Sequence, residues 1–78
     1  MRIIGYKILP EYFIANLYFI KNFELRKDDQ NVQPGDIIRL MEHDGEKYTG
    51  RSITRPVLYV LRDVSQYGLM HDYCIIGF

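Results

Sequence analysis

A single cysteine, Cys74, in a chain of 78 residues leaves no internal disulfide to staple the fold. Neither a CxxC pair nor a His/Cys cluster is available to build a zinc site in its place. Stability must therefore come from packing, and chains this short bury only about 60% of the surface their unfolded form exposes. One domain, residues 1–78, is all the chain can support, which excludes a two-domain enzyme with an interdomain cleft. Hydrophobic residues make up 47% and charged residues 26%, far from the polar, highly charged compositions that stay disordered. A lone thiol suits a reducing cytoplasm. The longest apolar stretch, inside Tyr12 to Ile20, is broken by Asn16 and falls well short of the roughly 20 residues a membrane span needs. The first residues lack the apolar run and small-residue cleavage site of a secretory signal, so no membrane or export role is expected.

Ten Lys and Arg against ten Asp and Glu leave no global positive field with which to hold nucleic acid. Any such contact must come from a local patch. The spacing of apolar residues shows where one could be built. MRIIGYKIL is rich in β-branched and aromatic residues and reads as a strand up to Pro10, with Gly5 marking a bulge or a late start. Pro10 suits a first helical turn, Glu11 complements the positive end of the dipole, and Phe13, Leu17 and Ile20 recur at helical spacing, predicting a helix over about 10–20. Its Tyr12, Tyr18 and Phe19 are expected in core or rim packing.

In NFELRK the period drops to two, with Phe23 and Leu25 on one face and Glu24 and Arg26 on the other, as in a half-buried strand. A Pro34-Gly35 turn, with Gly35 at positive φ, precedes a strand over Ile37 to Met41. Asp44-Gly45 marks a hairpin tip or an exposed loop. Arg51 to Leu61 is the longest extended segment, expected to be partly buried on both faces from Val57 onward, with Pro56 at an edge or bulge. Ser65 to Asp72 reads as a turn or short helix, and YCIIGF as a last strand with Cys74 in the core. The expected fold is thus α+β and mainly β: a strand, one principal N-terminal helix, then four strands. A small barrel plugged by the helix is the economical way to hide the sheet edges.

Two polar groups stand out. Glu24 and Arg26 share a strand face, and Lys21 at the helix–strand junction can swing over it. These cations could bind a phosphate or an anionic base edge, while Glu24 either accepts hydrogen bonds from an exocyclic amine or holds the cations in place. The bland alternative is a solvated strand face with an ordinary ion pair. Tyr48, Thr49, Gly50 and Arg51 place an aromatic and a guanidinium around a flexible glycine, able to stack a base and touch a phosphate, or simply to form a hairpin shoulder. His43 lies among Glu42, Asp44 and Glu46, where a cation could be caught adventitiously, but no dedicated metal site and no cofactor is expected. Nothing near Ser65 activates it toward His71, and no glycine-rich phosphate cradle is present.

The succession KILPEYF, KNFELRKDD, VQPGDIIRLMEHD, YTGRSITRPVLYVL and YGLMHDYCIIGF, from Lys7 to Phe78, resembles the ASCH (activating signal cointegrator homology) family, and within it a small bacterial and phage branch. Lys21, Glu24 and Arg26 match the last three fixed places of that family's Gly-x-Lys-x-x-Glu-x-Arg signature. The resemblance implies a PUA-like β-barrel with a cleft between helix and barrel that binds RNA or a nucleotide. Phe19 replaces the signature glycine, with bulk that could fill ligand space, and Ile4 stands where this branch often has a histidine. Some ASCH proteins look like amidohydrolases of acylated cytidine, with threonine in the place of Glu24. For this chain the alternative to a noncatalytic binding module is accordingly a small hydrolase of a modified nucleoside or RNA, with Lys21 and Glu24 as acid–base pair. A phage-type protein-interaction module, monomeric or weakly dimeric, is the third expectation.

Overall fold

A computed structural model describes residues 2–78. Strand β1 (Ile3–Ile8) runs into helix α1 (Pro10–Leu17), followed by β2 (Phe23–Lys27), β3 (Ile37–His43), β4 (Tyr48–Pro56), β5 (Tyr59–Leu61), a 3-10 turn at Ser65–Tyr67, and β6 (Tyr73–Gly77). The strands form two three-stranded sheets, one ordered β1-β3-β4 and the other β2-β6-β5. No hydrogen-bonded ladder joins one sheet to the other among the described strands. Among the described residues the fold is mainly β with a single α-helix, and five strands follow the helix where four were expected. The long 51–61 segment supplies the extra one, because Pro56 cannot donate to a ladder. The chain leaves the first sheet there, Val57 anchoring to Asp36 and Gly35 through backbone bonds of 2.8 and 3.0 Å, and joins the second through Leu58 N–H to the Gly77 carbonyl at 2.9 Å.

That change of sheet also changes which side chains face inward. Val57 is buried, Leu58 and Tyr59 are exposed, and Val60 and Leu61 are half-buried, so the expected partial burial of both faces holds from Val60 rather than from Val57. β1 pairs with β3 in parallel, Ile4 opposite Ile38 and Ile8 opposite Glu42, while β3 and β4 form an antiparallel hairpin. Asp44-Gly45 is the tip of that hairpin: Asp44 Oδ1 accepts the Glu46 and Lys47 N–H groups at 2.9 and 3.0 Å. In the second sheet Glu24 lies opposite Ile76 and Arg26 opposite Cys74.

Alternation fills the space between the sheets. Ile4 and Ile8 from β1, Ile38 and Leu40 from β3, Cys74 and Ile76 from β6, and Phe13 from α1 form the core, closed by Val32 and Val57. Full burial of one such side chain is worth about 1.5–3 kcal/mol. Gly5 makes no bulge. It continues the β1–β3 register opposite Arg39, and a Cβ there would come within 2.9 Å of the Met41 methyl. Gly35 has the positive φ its turn requires, 96°.

The helix stops at Leu17, three residues before the predicted end, and Ile20 is exposed rather than on the inner face. The last turn closes as a Schellman motif: Phe19 N–H bonds the Asn16 carbonyl at 3.2 Å and Ile20 N–H bonds the Ala15 carbonyl at 2.9 Å. The left-handed position of that motif is held by Phe19, with φ of 60°. Tyr12, Tyr18 and Phe19 are all about half exposed or more, so none is core packing.

Candidate functional site

The Schellman turn sends the chain directly into β2, and this delivers Lys21 beside the inner face of that strand. Glu24 there is 4% exposed. Its Oε2 accepts from Lys21 Nζ and, at 3.5 Å, from Asn16 Nδ2. Its Oε1 accepts from Arg26 Nε at 3.2 Å and Nη2 at 2.7 Å. Four donors thus meet the four lone-pair sites of an ionised carboxylate. Of the two roles open to Glu24 in the sequence, the geometry gives it the second: it holds the cations in place. The same saturation leaves it no position from which to accept a proton from a water.

The cations are fixed further by backbone. Lys21 Nζ also donates to the Phe23 carbonyl at 2.6 Å, and Arg26 Nη2 donates to the Lys7 carbonyl at 2.9 Å, tying β2 to the end of β1. The Arg26 guanidinium lies 4.6 Å from the centre of the Tyr6 ring, and burial pushes that phenol's pKa up. Lys21 Nζ sits 4.9 Å from the Phe23 ring centre and 5.7 Å from that of Tyr12. Around this trio opens a cleft of about 440 Å³, within the ~300–1,000 Å³ of small-ligand sites. Ile8, Leu9, Tyr12, Phe23 and Leu25 supply its apolar walls, and Lys7 joins Lys21 and Arg26 in lining it.

Phe19 is not part of the lining. Its side chain points to solvent and to Arg55, whose guanidinium lies 4.5 Å from the ring centre, so its bulk does not fill the cleft. Ile4 is a core residue opposite Ile38, and a polar side chain there would be buried with the core.

Tyr48, Thr49 and Arg51 lie elsewhere, on the β3–β4 hairpin beside a hollow of about 160 Å³ that shares no residue with the cleft. Arg51 donates Nε and Nη2 to the two oxygens of Glu42 at 2.8 and 2.7 Å, and Thr49 Oγ1 donates to the same carboxylate at 2.6 Å. The Arg51 and Thr49 hydrogen bonds hold the Glu42 pKa below the ordinary glutamate range despite burial. Tyr48 meets His43 edge to face at 4.8 Å. Glu42 therefore belongs to the interior, 2% exposed, and does not join His43, Asp44 and Glu46 at the hairpin tip.

Sequence reasoning missed Tyr12 and Phe23 as parts of the cleft, Asn16 as a buried donor to Glu24 behind it, and Glu42 as the centre of the second network. Signals for two of them were present. Asn16 follows Phe13 by three residues, on the inward stripe of the helix, and Glu42 continues the period-two series Ile38, Leu40. A family model described as a domain of unknown function, DUF3850, matches residues 5–78. The chain belongs to the DUF3850 family. That match contains both networks and all of the cleft. Among curated proteins nothing matches this DUF3850 chain.

Proposed function

We propose that this DUF3850 chain is a noncatalytic RNA- or nucleotide-binding module of the ASCH type, an open relative of the PUA-like barrel acting in the cytoplasm. The observation that carries the reading is the cleft in which buried Glu24 holds Lys21 and Arg26, with Lys21 beside the rings of Tyr12 and Phe23. Aromatic faces for bases and fixed cations for phosphates are the two components of sequence-tolerant nucleic-acid contact. The chain is electrically neutral, yet the cleft carries three cations, Lys7, Lys21 and Arg26, against one carboxylate. It is the kind of local patch such a chain would need.

A hydrolytic role for Lys21 and Glu24 is less well supported, since Glu24 has no free lone pair for a water. The Tyr48–Arg51 hairpin fits the reading only as a secondary contact, because the Nε and Nη2 donors of Arg51 are already committed to Glu42. A proton–nitrogen NMR titration with a short mixed single-stranded RNA tests the proposal. Shifts are expected to cluster at Lys7 to Tyr12 and Lys21 to Arg26, and none at millimolar RNA would end it.

A further inference from the structure

The donor count in the cleft states what kind of group it can receive. Lys21 has three N–H bonds; one goes to Glu24 and one to the Phe23 carbonyl, leaving one. Arg26 has five; Nε and Nη2 spend theirs on Glu24 and the Lys7 carbonyl, and both hydrogens of Nη1 remain without a partner among the described residues. Neither head group is sealed off, the side chains being 18% and 24% exposed. On the acceptor side Glu24 is full and the Lys7 carbonyl is taken. Among side chains lining the cleft, only the Tyr12 hydroxyl is left with a lone pair to offer.

We infer that the cleft is an anion receptor whose ligand is a phosphate ester, with the phosphate on Lys21 Nζ and Arg26 Nη1 and the organic body along Tyr12 and Phe23. Three free N–H groups from two differently oriented cations match a tetrahedral group with several terminal oxygens, and Lys7 adds a third positive charge at the rim. A base edge rich in amino groups would meet donors facing donors. Pre-organisation is built in, because Glu24, itself bonded by Asn16, and two backbone carbonyls hold the cations before any ligand arrives. The inference rests on the nucleotide-binding reading for the identity of the organic body, but not for the phosphate.

Titrating the labelled protein with uridine, uridine 5′-monophosphate, phenyl phosphate and a 5′-hydroxyl RNA tetranucleotide separates the two. At low salt, the monophosphate is expected to shift the Lys21–Arg26 resonances at a concentration at least tenfold below that of uridine. In Lys21→Met this advantage should shrink to less than threefold, with uridine unaffected. The tetranucleotide distinguishes internal phosphodiesters, which it alone presents, from a terminal phosphate; binding through either supports the inference. Equal binding of uridine and its monophosphate, with no tighter binding by the tetranucleotide, overturns the phosphate receptor while leaving nucleotide binding intact. Phenyl phosphate binding as tightly as the nucleotide supports the receptor and removes the nucleotide reading. No shift with any of the four overturns both. An advantage that persists undiminished in both Lys21→Met and Arg26→Lys, each folded by its amide spectrum, places the phosphate elsewhere and also overturns the inference.

Discussion

Phe19 stands in a backbone conformation that L side chains avoid at a cost of roughly 1–2 kcal/mol. Glycine would relieve that cost, and its own extra unfolded-state entropy offsets only part of the gain. With two-thirds of the side chain in water, little burial is lost on truncation. Phe19→Gly should therefore raise stability in urea by up to about 1 kcal/mol, whereas β-branched Phe19→Val should lower it by about 1 kcal/mol. A destabilised glycine variant would mean that the Arg55–Phe19 stack outweighs the backbone term. A Schellman turn needs one residue in the left-handed conformation, and Phe19, two places before Lys21, takes it where a glycine would carry no steric cost. The sequence showed a bulky residue at this place but not its geometry, since a φ angle leaves no trace in composition.

At the scale of elements, β3 and β4 are joined by more than their ladder. Glu42, on the inner face of β3, receives three side-chain donors from β4, and its pKa is depressed by the Arg51 and Thr49 hydrogen bonds. A carboxylate whose folded pKa lies below its unfolded value, about 4.3, contributes stability that is complete above that value. The contribution is lost as pH falls through the lower, folded pKa. Asp36, held down by the Gln33 N–H and by Arg2, acts in the same direction. Melting temperature should be level from neutrality to about pH 5 and then fall, and Glu42→Gln should start lower at pH 7 and fall less steeply below pH 4. Parallel curves for the two proteins would show that Glu42 does not contribute to the acid limb. Elements were the level most legible in the sequence. Period-two alternation located β2, the Pro34-Gly35 turn located the start of β3, and Pro10 located the start of α1. The helix end was misplaced because apolar residues continue at helical spacing past Leu17, through a turn that periodicity cannot distinguish from helix.

For the whole molecule, the sequence indicated which segments are extended more readily than which ones meet. Lys21, Glu24 and Arg26 are close in the chain, and so their convergence could be read. The partners that make a cleft of them could not, because Lys7 and Tyr12 arrive through packing of β1 and α1 beside the second sheet. Cys74 reports on that packing. It is 1% exposed opposite Arg26, and burial raises its thiol pKa. A disulfide reagent should label it only as the fold opens, at a rate that follows global unfolding in urea; fast labelling of the native protein would show that the sheets separate locally.

The ladder Phe23↔Gly77 to Lys27↔Tyr73 also imposes an order on synthesis. β2 leaves the ribosome early but can find its place only after β6 has followed it, and β1 must likewise wait for β3. Until then the strand bearing Glu24 has no partner, and its two cations have no settled place to stand. Competence to receive a ligand therefore comes to a growing chain late and all at once, and a chain cut short before Tyr73 lacks it even though Lys21, Glu24 and Arg26 are all present.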